Sequence, residues 1–294
     1  MTEKISYILI VGLLRGLAFF PLKALYLLSD VLYFFVYRLW GYRKKVVREN
    51  LSNAFPELDE RQLRQIERKF YHHMCDLIVE TVKLLHISDR ELQERIEVRH
   101  TDIVNACAEE GVPVILFLGH YGNWEWCQAV SMACDKSIIG GEIYKPLSNK
   151  AMDRVMRTIR SRFDTQLIPH RSAYRVLMEM GAKKQPFAIG FISDQRPEKS
   201  MTPHQTLFLN QKTNYVTGAE KIGRRIGARF VYVDLEKTGR GHYRLSLVPI
   251  EADAQASSEY PCTEKYFRML EQTIRRQPEY WLWSHKRWYY MTKK

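Results

Sequence analysis

A chain of 294 residues with 46% hydrophobic content has the make-up of an ordinary globular protein, long enough for one large domain or two small ones. Its 45 Lys and Arg against 33 Asp and Glu leave a net charge of +12, which calls for an anionic partner: nucleic acid, a membrane surface or a phosphorylated substrate. The five cysteines (Cys75, Cys107, Cys127, Cys134, Cys262) are odd in number, widely spaced and without a CxxC pair, which argues against a disulfide framework or a zinc site and for reduced thiols in a cytosolic setting.

The first 40 residues carry the membrane question. Ile5 to Leu14 is apolar, but Arg15, Lys23 and Asp30 interrupt the sequence before Val31 to Tyr37, so no run reaches the roughly 20 residues of a standard span. A cleaved signal peptide fits poorly, because the apolar region continues past any cleavage site. Two readings remain: a buried helical hairpin of a soluble domain, or helices lying in or dipping into a bilayer. Aromatic residues, Pro21 and the basic cluster Arg38, Arg43, Lys44, Lys45 and Arg48 favour the second, with the basic flank on anionic headgroups at the cytoplasmic side. Residues 1–45 are therefore expected to anchor the domain formed by residues 46–294.

Asp59 with Gln62 three residues on makes a capping-box start. Leu63, Ile66, Phe70, Met74, Leu77, Ile78, Val82 and Leu85 follow at helical spacing and predict a core-facing amphipathic helix. His72, His73, Asp76 and Glu80 share that helix, but with no HExxH and no second ligand cluster they read as a solvated face, and no metal is expected.

From about residue 112 strand-like runs alternate with helical patterns. Strands are predicted over Val112–Leu118, Ser137–Tyr144, Gln166–Ile168, Phe187–Ser193, Arg229–Leu235 and Tyr243–Pro249, and helices over Lys150–Phe163, Tyr174–Lys183, Thr217–Ile226 and Thr263–Arg276. The pattern is that of an α/β fold, a mixed central sheet flanked by helices, with a site at the carboxyl ends of strands. There is no internal repeat and no Gly/Ser linker.

The most chemical stretch is Val112 to Glu125, where an apolar run ends at Gly119 and His120 enters a Gly-containing turn. Asn123 is a good N-cap for a helix from Trp124 to about Cys134, with Glu125 in its first turn, where the helix dipole favours a carboxylate. Residues five apart on one helix point about 140° away from each other. His120 and Glu125 meet only if the histidine sits on the turn. The pair then reads as a general base oriented by a carboxylate; the same spacing also fits a satisfied turn histidine beside a helix N-terminal charge.

His120-x4-Glu125 resembles the HX4D/E motif of the glycerolipid acyltransferase superfamily, and the surrounding text is similar to its late lipid A biosynthesis acyltransferases. The resemblance runs through Arg43 to Leu51, Ala54 to Glu57, Tyr144-x-Pro146, Asn149, Arg160, Asp194-Gln195 and Pro278 to Arg287. It implies a glycerolipid-acyltransferase-like fold with N-terminal membrane-associated helices at the cytoplasmic face of the inner membrane. It also implies an acyl-carrier-protein (acyl-ACP) thioester as donor and a lipid A precursor hydroxyl as acceptor, with no cofactor. Another lysolipid, aminolipid or glycolipid is the alternative acceptor. His120 and Glu125 become the catalytic residues, with Arg160, Asp194, Gln195 and Asn149 as substrate-binding residues. Arg154, Arg157 and Arg162, on the same helix as Arg160, read as a solvated basic face.

Phe208-Leu209-Asn210, in the loop Pro203 to Tyr215, departs from the family's Phe-Phe-Gly type sequence. Trp281, Trp283, Trp288, Tyr289 and Tyr290 fit either a lipid interface or packing over the core, and His285 reads as structural. A lipid hydrolase is disfavoured by the lack of a GxSxG elbow, and nucleic-acid binding by the aromatic, apolar N-terminus.

Overall fold

The computed structural model describes residues 2–197, 204–252 and 258–288; Pro203, Tyr289 and Tyr290 lie outside them. The chain begins with helices α1 (Thr2–Ala18) and α2 (Leu22–Tyr33), divided at Pro21, which has no amide hydrogen to continue α1. A π-helical turn (Phe34–Leu39) leads to α3 (Lys44–Ala54) and α4 (Glu60–Lys83). Next come α5 (Asp89–Arg95), β1 (Ile96–Arg99), α6 (Asp102–Glu109) and β2 (Val114–Leu118). A 3-10 turn (Trp124–Gln128), α7 (Ala129–Ala133), β3 (Ile139–Tyr144), α8 (Lys150–Arg160) and β4 (Gln166–Pro169) follow. The remainder is α9 (Ala173–Ala182), β5 (Phe187–Ile192), β6 (His204–Phe208), β7 (Gln211–Tyr215), α10 (Gly218–Arg225), β8 (Arg229–Gly239), β9 (His242–Pro249) and α11 (Pro261–Arg276).

Seven strands form one sheet in the order β1-β9-β8-β2-β5-β3-β4, with every pairing parallel except β8 with β9. The fold is thus the mixed α/β sheet that the alternation of patterns predicts. Every residue of β2 is buried, as expected of a parallel strand covered on both faces. β6 and β7 stand apart as an antiparallel hairpin where a loop is expected. Its two-residue turn puts Leu209 at φ +50° and Asn210 at φ +61°. Asparagine accepts that conformation readily; leucine does not, and burial holds it there.

α4 opens with the expected capping box, Gln62 N–H donating to Asp59 and Asp59 N–H to the Gln62 side chain. Its burial is rotated from the expectation: Ile78 is exposed, whereas His73, Asp76 and Glu80 are buried. His72 is exposed as expected, but His73, Asp76 and Glu80 face α2 and the β8–β9 hairpin and have almost no access to solvent. Polar partners from both neighbours satisfy them. Glu80 accepts from Tyr26 of α2 (2.8 Å), Tyr243 of β9 (2.7 Å) and Asn123 (2.7 Å). Asp76 accepts from Ser29 and Arg240, and His73 stands 3.2 Å from Lys237.

α1 and α2 are two-faced. Leu22, Leu25, Tyr26 and Ser29 are buried, while Ile8, Leu13, Phe19, Phe20, Leu27 and Val31 are exposed, and the apolar surface continues over Phe34, Leu39 and Trp40. Among the described residues no helix is long and apolar enough to cross a membrane.

Glu80→Ala leaves the Tyr26, Tyr243 and Asn123 donors without their acceptor, and each buried orphan costs about 1–3 kcal/mol. The expected outcome is a loss of at least about 3 kcal/mol in urea unfolding, with Glu80→Gln retaining part of it.

Candidate active site

β2 ends at Leu118 and delivers His120 into a turn at its carboxyl end. A side chain at Gly119 would press on the Leu270 side chain of α11 at 2.6 Å, and Gly122, at φ +56°, takes a left-handed conformation that favours glycine and would also meet Leu235 at 2.6 Å. The C-terminal segment clasps it from outside. Gly122 N–H donates to Tyr280 O (2.9 Å), Leu282 N–H donates to His120 O (3.0 Å), and Tyr121 bridges to Trp281. α4 holds it from within, through His73 Nε2 on Gly122 O (3.1 Å) and Glu80 on Asn123.

The carboxylate at the imidazole is Asp194, two residues beyond the end of the neighbouring strand β5. Asp194 Oδ1 lies 2.6 Å from His120 Nδ1, and Oδ2 accepts the His120 backbone N–H (2.8 Å) and the Trp281 indole N–H (2.8 Å). Burial pushes the Asp194 carboxyl up, but the charge of His120 and these hydrogen bonds outweigh it and hold the group at about 2. An ionised carboxylate only accepts, so His120 Nδ1 carries a hydrogen toward Asp194, and in the neutral imidazole the lone pair is then on Nε2. The Gln195 amide nitrogen sits 3.1 Å from Nε2.

Glu125 does not meet His120, which corrects the pairing expected from the motif. Asn123 starts a 3-10 turn instead of a long α-helix, and Trp124 comes edge-on to the imidazole with ring centroids 5.1 Å apart. Glu125 is thereby turned toward α8, where Arg160 grips it with both arms, Nε to Oε2 at 2.8 Å and Nη2 to Oε1 at 2.6 Å. The Trp124 indole N–H adds a third hydrogen bond (3.1 Å). A bidentate guanidinium is the partner that a nearly buried carboxylate needs.

The other expected residues fall as follows. Asp194, expected to touch substrate, is buried behind His120 with both oxygens engaged. Asn149 is exposed and caps α8, its oxygen accepting the N–H groups of Ala151 (3.0 Å) and Met152 (3.1 Å), so it positions the helix that carries Arg160. Trp281, Trp283 and Trp288 are buried in packing over the core. Burial, above all, lowers His285 to about 4. Among the described residues no group of three or more His, Cys, Asp or Glu is placed to hold a metal.

Together His120, Trp124, Glu125, Glu142, Arg160 and Gln195 line a cleft of about 410 Å³ with the β3–α8 loop as its rim. The sequence profile of the bacterial lipid A biosynthesis acyltransferase family matches residues 1–289. The chain belongs to that family. It is 22% identical to the lipid A biosynthesis palmitoleoyltransferase of Escherichia coli (strain K12) over 246 residues, 83% of this chain and 78% of that one. The lipid A biosynthesis acyltransferase of Shigella flexneri matches to the same extent. The lipid A biosynthesis lauroyltransferase of E. coli (strain K12) is 22% identical over 278 residues, 94% of this chain and 89% of that one.

Glu142 and the α4 pair His73 and Glu80 are the parts of this acyltransferase's cleft and its support that sequence reasoning misses. Glu142 lies inside an apolar strand pattern, with Oε1 3.5 Å from Arg160 Nε, and that oxygen is shut off from solvent with no hydrogen bond. Burial raises its carboxyl to about 7, Arg160 opposing and Glu125 reinforcing the shift. A carboxyl raised on folding holds its proton better folded than unfolded, so its contribution to stability declines as pH climbs from about 4.5 to about 7. Glu142→Gln is expected to match the wild type in urea unfolding at pH 4 and to exceed it at pH 8.

Proposed function

We propose that the chain transfers an acyl group from an acyl-ACP thioester to a hydroxyl of a lipid A precursor, at the cytoplasmic face of the inner membrane. The single observation that carries the chemistry is the buried, ionised Asp194 on Nδ1 of a histidine whose Nε2 faces the cleft. The family membership supplies the reaction class. In this reading His120 Nε2 takes the proton of the acceptor hydroxyl as the oxygen attacks the thioester carbonyl. The C–O bond forms, the C–S bond breaks, and the proton passes on to the leaving thiolate. Asp194 fixes the tautomer and supports the imidazolium. Gln195 holds Nε2 until the hydroxyl replaces it.

Glu125 acts in this reading through Arg160. The two Arg160 nitrogens facing Glu125 are taken, and Nη1 is left for the carbonyl oxygen on which negative charge develops. The backbone N–H groups of His120 and Gly122 are already engaged, which favours the guanidinium for that task. Residues 1–45 serve as the membrane-contacting segment. Their outward apolar face, bordered by Arg15, Arg38, Arg43 and Lys45, suits helices lying in the headgroup region of an anionic membrane.

The test is mass spectrometry of lipid A from cells with and without this chain, together with purified enzyme, acyl-ACP and acceptor. The wild type is expected to restore one secondary acyl chain. His120→Ala and Asp194→Asn are each expected to lower kcat by about 10²–10⁴-fold with the fold intact. An unchanged lipid A profile with active enzyme would move the acceptor to another lysolipid, aminolipid or glycolipid.

A further inference from the structure

Beneath the 3-10 turn the sheet is hollow at one place, and the strand registers say why. β5 turns Ala188, Gly190 and Ile192 to one face, with Gly190 beside Leu116 of β2 and Glu142 of β3. A Cβ at Gly190 would stand 3.2 Å from the Leu118 side chain; glycine leaves that space open. The hollow measures about 40 Å³ and is roofed by Trp124, Cys127 and Gln128. It has room for a hydroxyl or a few waters and far too little for a stretch of hydrocarbon. Trp124, Glu142 and Ile192 line both the hollow and the cleft, so the two adjoin.

Three polar atoms of the hollow's lining residues have no hydrogen-bond partner among the described residues: Gln128 Oε1, Glu142 Oε1 and Thr165 Oγ1. Gln128 and Thr165 are only 5% and 8% exposed. The three come from separate parts of the chain, the 3-10 turn, β3 and the residue before β4. Gln128 is held by its Nε2, which donates to Glu125 O (3.1 Å) and leaves the amide oxygen over. That oxygen only accepts, whereas the Thr165 hydroxyl and a carboxyl raised to about 7, as Glu142 is, can each donate or accept. A single hydroxyl both donates and accepts and so matches this set. A methylene chain matches none of it.

We propose that the hollow receives a hydroxyl carried by the acyl group being transferred, close to its thioester carbonyl, and that Gln128, Thr165 and Glu142 select such a hydroxyacyl donor over an unsubstituted one. This rests on the reading of the chain as an acyltransferase with Arg160 at the carbonyl oxygen, and adds the chemical class of the donor chain. Glu142 Oε1 lies 3.5 Å from Arg160 Nε, so the hollow is next to the place of that oxygen. The acceptor's hydroxyl belongs at His120 Nε2 instead. The chain itself stays in the cleft, and only its hydroxyl branches into the hollow. A plain chain leaves the buried polar atoms with nothing to bond, and a site built to hydrogen-bond a hydroxyl discriminates strongly against the analogue that lacks it.

The experiment compares kcat/KM of the full-length wild type for acyl-carrier-protein thioesters of tetradecanoic, 2-hydroxytetradecanoic and 3-hydroxytetradecanoic acid. One hydroxylated donor is expected to exceed the plain one by about tenfold or more. Equal or lower values with both hydroxylated donors overturn the proposal and leave the hollow to ordered water. Variants then assign the preference to these atoms. With Gln128→Leu and Thr165→Val combined, and thermal unfolding confirming the fold, the ratio is expected to fall toward one, the hydroxylated donor losing and the plain donor gaining. Thr165→Ser alone is expected to keep the preference. An unchanged ratio in the folded double variant overturns the proposal, and if the double variant does not fold, each single variant is read in the same way.

If the wild type transfers none of the three chains, the reading of the reaction fails by itself. The hollow is then tested by calorimetric binding of the same three thioesters. Tighter binding of a hydroxylated one that Thr165→Val weakens supports the proposal, and equal affinity or no binding overturns it.

Discussion

Asp194 has to stay ionised where almost no water reaches it, and the site is built around meeting that demand. Its side chain is 2% exposed, and three donors converge on it: the His120 ring, the His120 backbone and the Trp281 indole. Each donor fixes a different part of the molecule. The backbone N–H sets where the chain leaves β2, the ring hydrogen bond sets the tautomer and the aim of Nε2, and the indole pins the C-terminal segment across the turn. Residues 74 and 87 positions away from Asp194 therefore share one carboxylate. The parallel pairing of β2 with β5 brings their carboxyl ends side by side and makes this possible.

A second ionic unit lies on the other side of Trp124. Glu125, Arg160 and Glu142 form a group whose charges are set by one another, with one guanidinium shared between two carboxyls. In the proposed reaction, keeping this unit off the imidazole separates two electrostatic tasks. A carboxylate touching His120 raises its appetite for a proton, whereas an arginine offered to the cleft stabilises negative charge on a substrate oxygen. Were Glu125 on His120, Arg160 would lose the partner that orients it. The support beneath both units is the buried polar stripe of α4, where Glu80 ties Tyr26 of the first helical pair to Asn123, the residue that starts the turn.

Much of this was legible in the chain. The period of the apolar pattern places the sheet strands from residue 112 onward to within a few residues, the capping box places the start of α4, and the Gly119–Gly122 turn places His120. Contacts between strands were not legible, because spacing along one segment carries no information about a residue on another. His120 and Glu125 are neighbours in sequence and share the cleft, yet the partner of the imidazole comes from β5. The β6–β7 hairpin was hidden because Leu209 sits at a turn position where glycine or asparagine would have announced it. The buried stripe of α4 looks solvated in the sequence because polar residues on a helix face water unless other elements bring donors and acceptors to them. Here α2 and the β8–β9 hairpin do, as the contacts of Ser29 and Arg240 with Asp76 show.

In the proposed reaction the base and the arginine unit are separate, with Asp194 and not Glu125 acting through His120. A double-mutant cycle on kcat measures this directly, comparing Asp194→Asn and Glu125→Gln in the wild-type and His120→Ala backgrounds. Asp194→Asn is expected to have almost no further effect once His120 is gone, while Glu125→Gln still reduces the residual rate by nearly its full factor. The reverse pattern, with Glu125→Gln silent and Asp194→Asn fully additive in His120→Ala, would contradict it.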